Sequence, residues 1–348
     1  MTNTRNYGLD CLRIFAMCLI TSIHFLCHTD IHITESMPFY NKAFIHILHT
    51  FNNCFIDIFV MVSGYFLCKK DFSINRITKL WLQVLTINLI VATFCLIFTS
   101  NSFNINKLIR SLFPITTASY WYIISYFLLI LISPLYNRYL CILPKEKFKK
   151  IIMTTSCILF FIQLNPFFNS TIYIGDDTGI VWFSYMYILG AYIRIYDLPK
   201  HNIWIGIGIA AAILIFLFRW FNFIAPSSVK LLHNDSLPTM LVSIGLFLLV
   251  NKINIKGKKI KQIIGYMSSA ALCVYLIQEQ AFFRMLFWHF IDPHRFENTP
   301  YFIISWFFAQ VSLWIFALIV YNIYLLLHKI FLLKIENSIT EKIKLLIY

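Results

Sequence analysis

Leu9-Asp-Cys-Leu-Arg-Ile-Phe-Ala-Met-Cys-Leu-Ile-Thr-Ser-Ile-His-Phe-Leu26 is long enough to cross a bilayer, yet it holds Arg13 and His24 within an apolar run. At 3.6 residues per turn, their eleven-residue spacing is about three turns, so both project from one helix face, roughly 16 Å apart along the axis. A fixed cation and a titratable base on one face of a spanning helix are costly in lipid and point to function. Two structural readings stand beside that one. Arg13 as a snorkelling anchor and His24 bonded to a neighbouring carbonyl are each compatible with the same run.

Working outward, the 348 residues are 59% hydrophobic and 13% charged, with a mean hydropathy of +0.73. A soluble domain is nearer half apolar and a quarter charged, so the composition is that of an integral membrane protein. The fold class expected is all-α, a polytopic membrane helix bundle of about ten transmembrane helices. Apolar runs fall near 8–28, 43–67, 77–99, 119–137, 150–168, 180–196, 201–221, 236–251, 263–289 and 302–328, with the fifth, sixth and eighth the weakest. No small-residue cleavage site follows the first run, which is therefore kept as a mature span.

Placement of the cations sets the orientation. With the N-terminus inside, 21 Lys and Arg fall in cytoplasmic segments and seven in outer ones, Lys230 among the seven. That bias predicts cytoplasmic N- and C-termini. It also explains the net charge of +14 without nucleic acid, since the cations lie between apolar segments, where topology and anionic lipid account for them. No loop is long enough for a separate soluble domain, so residues 1–348 read as a single transmembrane domain. The nine cysteines sit mostly in or beside apolar runs and read as small buried hydrophobes, not as a disulfide frame.

Several polar groups then share membrane depth. Asp57, on the second span, lies roughly 10–15 Å from the cytoplasmic surface at 1.5 Å per residue and could pair with Arg13. Glu279, on the ninth, reaches the level of His24, where a carboxylate would fix the imidazole tautomer and leave the other nitrogen to accept a proton. Asp57 as a mere salt-bridge partner, and Glu279 simply reaching water near a helix end, remain the alternatives. His24 and His28 have the i, i+4 spacing that holds zinc on a helix, but no glutamate adjoins them in sequence, and no metal is expected.

Ser63, Gly64 and Tyr65 close the second span. A glycine there serves either helix packing or close approach of backbone to a ligand. Arg76 and Lys79, i and i+3 at the start of the next span, fit either positive-inside bias or a cationic seat for a phosphorylated cytosolic ligand. Trp121 and Tyr122 fit an interfacial belt or a sugar-stacking surface.

These residues together resemble the acyltransferase 3 family of integral-membrane O-acyltransferases, which includes polysaccharide O-acetyltransferases. Asp10-Cys-Leu-Arg13 with His24 is similar to its first motif, and Asp57 through Ser63-Gly64-Tyr65 to its second. Arg76 and Lys79 match a two-arginine motif with lysine in second place, and Trp121-Tyr122, Ser133-Pro134 and Leu189-Gly190 sit where the family often carries similar residues. The chain departs at Tyr275-Leu-Ile-Gln278-Glu279, where the family often ends Tyr-Leu-Ile-His, and it lacks the hydrolase-like domain fused to some members.

The resemblance implies transfer of an acetyl group from cytosolic acetyl-CoA to a hydroxyl of a cell-surface or lipid-linked glycan, in a bacterial cytoplasmic membrane. On that reading His24, Arg13, Asp57 and Glu279 are the catalytic group. Arg76, Lys79, Ser63, Gly64 and Tyr65 bind the acyl-CoA donor. Trp121, Tyr122, Tyr275 and Gln278 face the acceptor. A transporter or flippase for a lipid-linked glycan or small solute is the main alternative, although neither paired broken helices nor a repeat is evident.

Overall fold

The computed structural model describes residues 5–98, 104–115, 117, 120–164, 179–198, 200–221 and 233–347. Among them every regular element is a helix: α1 (Tyr7–Cys27), α2 (Phe39–Asn52), α3 (Cys54–Leu67), α4 (Ile74–Phe98), α5 (Ile105–Leu112), α6 (Trp121–Leu140) and α7 (Lys145–Leu164). They are followed by α8 (Ile180–Tyr196), α9 (His201–Trp220), α10 (Leu237–Asn251), α11 (Lys258–Gln278), α12 (Phe283–Ile291), α13 (Tyr301–Leu327) and α14 (Leu333–Ile347). All-helical structure is what a bilayer demands of a chain with this much apolar sequence, because each backbone polar group must find its partner within the segment.

Among the described residues, seven segments are long and apolar enough to span: Tyr7–Cys27, Phe39–Leu67, Ile74–Phe98, Trp121–Leu140, His201–Trp220, Lys258–Gln278 and Tyr301–Leu345. Ile180–Tyr196 and Leu237–Asn251 are apolar but shorter. The remaining expected span, near 150–168, coincides with α7, whose first turn carries Lys145, Glu146 and Lys147. The three weakest expected spans are thus the three that fall outside the seven. Residues 99, 119, 165–168 and Lys230, which belonged to expected spans or to the outer cations, lie outside the described residues.

Two boundaries differ from the sequence reading. The ninth span does not run to 289, since α11 stops at Gln278 and α12 begins afresh at Phe283. Gln280 makes the break: its Oε1 accepts from the backbone N–H of Phe282 (2.7 Å) and Phe283 (2.9 Å), satisfying donors that a helix start leaves open. The last span continues past 328 through a π turn, His328–Leu332, into α14.

The chain divides into two compact units, Met1–Ile20 with Lys42–Asp71 and Leu128–Ser268, and Thr21–Asn41 with Phe72–Phe127 and Ser269–Tyr348. In the first, α3 and α8 cross with backbones almost touching. A Cβ on Gly64 would stand 2.0 Å from Tyr187 O, and one on Gly190 2.0 Å from Met61 O. The pair α9 and α10 repeats the device at Gly208 and Gly245. In the second, Phe25 packs edge-on to Trp288 (centroids 6.4 Å) and against Phe302 (5.6 Å), which fixes the end of α1.

The nine cysteines are all free. Cys54, Cys68, Cys95 and Cys273 are buried as expected, whereas Cys27, Cys141 and Cys157 are exposed.

Candidate active site

The second unit gathers a histidine pair around one carboxylate. His24 and His28, one turn apart on α1 and just beyond it, bring their rings to 4.8 Å. Both reach Glu279 Oε1, His28 through Nε2 at 2.7 Å and His24 through Nδ1 at 3.3 Å. The first is a hydrogen bond; the second is an ion-pair distance without hydrogen-bond alignment. Arg284, on α12, donates from Nη1 to the other oxygen of Glu279 at 3.2 Å. Burial alone pushes the Glu279 carboxyl up, but the hydrogen bond from His28 and the charges of His24, His28 and Arg284 outweigh it and hold the group below its ordinary range. Glu279 does come beside His24, as its depth suggested, but the hydrogen bond goes to His28, and the break between α11 and α12 is what puts Glu279 and Arg284 on one side.

A buried tyrosine supports that break. Tyr120 shares its hydroxyl proton between Asn88 Oδ1 (2.9 Å) and Leu276 O (3.0 Å), while Gln280 Nε2 donates to Ser111 Oγ (3.0 Å). Tyr275 and Gln278, expected at the acceptor, are buried in this wall. Tyr275 meets Tyr122 edge-on at 5.8 Å, Tyr122 stacks on Tyr126 at 5.9 Å, and Trp121 lies partly exposed beside Tyr122. A cavity of about 600 Å³ opens beside His28 and Arg284, lined also by Trp288, His289, Asp292 and His294. Burial lowers the His294 imidazole, but bonds to Glu297 and to Thr29 O raise it further, so its net shift is upward. Arg76 and Lys79 sit at the start of α4 in this same unit, Arg76 half-buried and Lys79 exposed.

The first unit holds the other motif residues. Asp10 is buried and accepts from Arg5 Nε (2.5 Å), Arg13 Nη1 (3.4 Å) and Ser268 Oγ (2.8 Å). Arg13 also lies over the Phe66 ring at 5.2 Å. The ion pair seen for Arg13 is therefore with Asp10, one turn back on its own helix, where the sequence suggested Asp57. Asp57, fully buried on α3, accepts from Trp182 Nε1 (2.8 Å) on α8 and Ser243 Oγ (3.1 Å) on α10, tying three helices through neutral donors. Ser63 donates back to Phe59 O (2.9 Å), and Gly64 faces α8. Tyr65 accepts from Arg194 Nη1 (3.1 Å), whose guanidinium covers its ring at 4.8 Å.

The sequence reading passed over Arg284 and Arg194 as topological charges, and Tyr120, Gln280, Trp182 and Ser243 altogether. Only His28 had a visible signal, its i, i+4 spacing to His24. The others are joined to their partners by contacts more than a hundred residues apart in several cases, which no local pattern encodes.

His24, His28 and Glu279 bring their ligand atoms within 4.8 Å of one another, a two-histidine, one-carboxylate donor set that zinc accepts. Arg284 holds the other carboxylate oxygen, Oε2, so Oε1 is the oxygen the two histidines share.

A many-spanned helical protein with a carboxylate-held histidine pair belongs to the multi-pass membrane proteins. The chain matches the model of the acyltransferase domain family, acyltransferase 3, over residues 6–328, and it is a member of that family, a membrane acyltransferase. Comparison with curated proteins and with solved structures gave no match.

Proposed function

We propose that this acyltransferase moves an acetyl group from cytosolic acetyl-CoA to a hydroxyl of a cell-surface or lipid-linked glycan, across a bacterial cytoplasmic membrane, as one transmembrane domain with both termini cytoplasmic. The observation that carries the reading is Glu279, held between His24 and His28 with Arg284 on its second oxygen. A thioester is already activated, so an alcohol needs a base and alignment to attack it. With Glu279 on the Nδ1 side, His24 Nε2 takes the hydroxyl proton as oxygen bonds to the acyl carbon. Collapse of the tetrahedral species breaks the carbon–sulfur bond, and the departing thiolate takes the proton from the imidazolium. The products are the acetyl ester and free CoA.

Arg13, oriented by Asp10, stabilises the thioester oxygen or the donor phosphates, and Asp57 holds α3 to α8 and α10 through Trp182 and Ser243. Arg76 and Lys79 hold donor phosphates at the cytoplasmic mouth, and Ser63, Gly64 and Tyr65 are further donor-side residues. The polar cavity beside His28, with Trp288 in its wall, supports a sugar acceptor; Trp121 and Tyr122 are further acceptor-side residues, and the buried Tyr275 and Gln278 act there by shaping their neighbours.

The test is CoA release by the purified full-length protein given acetyl-CoA and a glycan acceptor. His24→Ala is expected to lower kcat by about 10²–10⁴, and a chelator to leave turnover unchanged. Movement of the acceptor across vesicles without CoA release overturns the enzyme reading in favour of transport. Loss of turnover on chelation, restored by zinc, overturns the base role of His24.

A further inference from the structure

A groove in the first unit ends at a cation that makes no ion pair among the described residues. One face of α9, Ile205, Gly208, Ile209, Ala212 and Phe216, lines a cavity of about 460 Å³ against α2 and α10. Its one lining hydroxyl, on Thr50, is turned away to donate to His46 O at 2.8 Å. The next position on that α9 face is Arg219, three residues beyond Phe216. Among the described residues Arg219 makes no ion pair, and its Nε is buried without a hydrogen-bond partner. His46 of α2 stands at the same end, its ring 6.4 Å from Phe216 and 5.3 Å from Trp220.

A guanidinium whose Nε is buried without a partner is expensive, above all in a spanning helix. An anion supplied from outside the chain removes that cost. We propose that this groove binds one acyl chain of an anionic glycerophospholipid, with the lipid phosphate on Arg219 and His46. From Ile205 to Phe216 the groove runs about 16 Å at 1.5 Å per residue, roughly half the ~30 Å hydrocarbon core, which is the depth of one leaflet. Trp220, an aromatic of the kind that sits at head-group level, adjoins the cation at the matching height. A polyprenyl phosphate offers the same head but a tail longer than the groove. The groove shares no residue with the Glu279 centre and owes nothing to acyl transfer.

The full-length protein reconstituted in phosphatidylcholine vesicles, with spin-labelled phosphatidylglycerol or spin-labelled phosphatidylcholine as probe, tests this. The expected result is about fivefold preference for phosphatidylglycerol in the motionally restricted fraction. Arg219→Gln is expected to abolish the preference, Arg219→Lys to keep most of it, and Ala212→Phe to reduce restricted phosphatidylglycerol by filling the groove. Equal restriction of both probes by the unaltered protein overturns the site, and that measurement holds even where a variant does not fold. Undiminished preference in a folded Arg219→Gln overturns the role of Arg219. Stronger restriction of a spin-labelled polyprenyl phosphate in the same vesicles overturns the phospholipid assignment.

Discussion

Glu279 is a residue whose charge state the fold controls. Its folded pKa is depressed below the ordinary value of 4.5, so its ionised form stabilises the protein at neutral pH. That contribution is complete above about pH 4.5 and is lost as pH falls through the lower folded value. The unfolding temperature in detergent is therefore expected to fall below that point, and Arg284→Gln, which removes one of the groups holding the carboxyl down, to show a smaller acid loss. A variant with the same acid loss would mean that Arg284 does not set this charge. Glu279→Gln keeps the shape but not the charge, and is expected to lower kcat with little change in acetyl-CoA KM, since the donor does not touch it on the proposed reading. At this scale the sequence supplied His24 and Glu279 by depth. The partner that fixes the second carboxylate oxygen, Arg284, emerged only with the turn between α11 and α12.

At the scale of elements, the crossing of α3 and α8 depends on two missing side chains. Overpacking a tight contact costs about 1–3 kcal/mol, and here the obstacle is backbone carbonyl, not a flexible tip. Gly64→Ala and Gly190→Ala are each expected to lower the unfolding temperature. Because both open the same crossing, the double variant is expected to lose less than the sum, a coupling that a double-mutant cycle reads directly. Additive losses would argue that the helices do not pack through these glycines. Ser63-Gly64-Tyr65 was legible as a small-residue helix end, with packing and ligand approach both open. The proximity of Tyr187 shows that helix packing needs a glycine at 64. Likewise the apolar periodicity of 263–289 is uninterrupted in sequence, and the break at Gln280 comes from a side-chain amide that finds two backbone donors and Ser111.

For the whole molecule, the proposed cytoplasmic C-terminus makes a plain prediction. A green fluorescent protein fused after Tyr348 is expected to fluoresce, and an export-dependent reporter at the same place to stay inactive; the reverse pattern would invert the topology. The sequence by itself determined the solvent, the helical class, the approximate spans and the family, because apolar run length and the periodic placement of Arg13, His24 and Asp57 are properties of the chain read locally. Tertiary structure alone decided which charges meet. Asp10 took Arg13, Asp57 took Trp182 and Ser243, and Glu279 took both histidines and Arg284. The physical reason is that a buried carboxylate is satisfied by whichever donors its packing neighbours bring within about 3 Å. Those neighbours come from helices far apart in sequence, and sequence depth orders them along the membrane normal without saying which helices lie side by side.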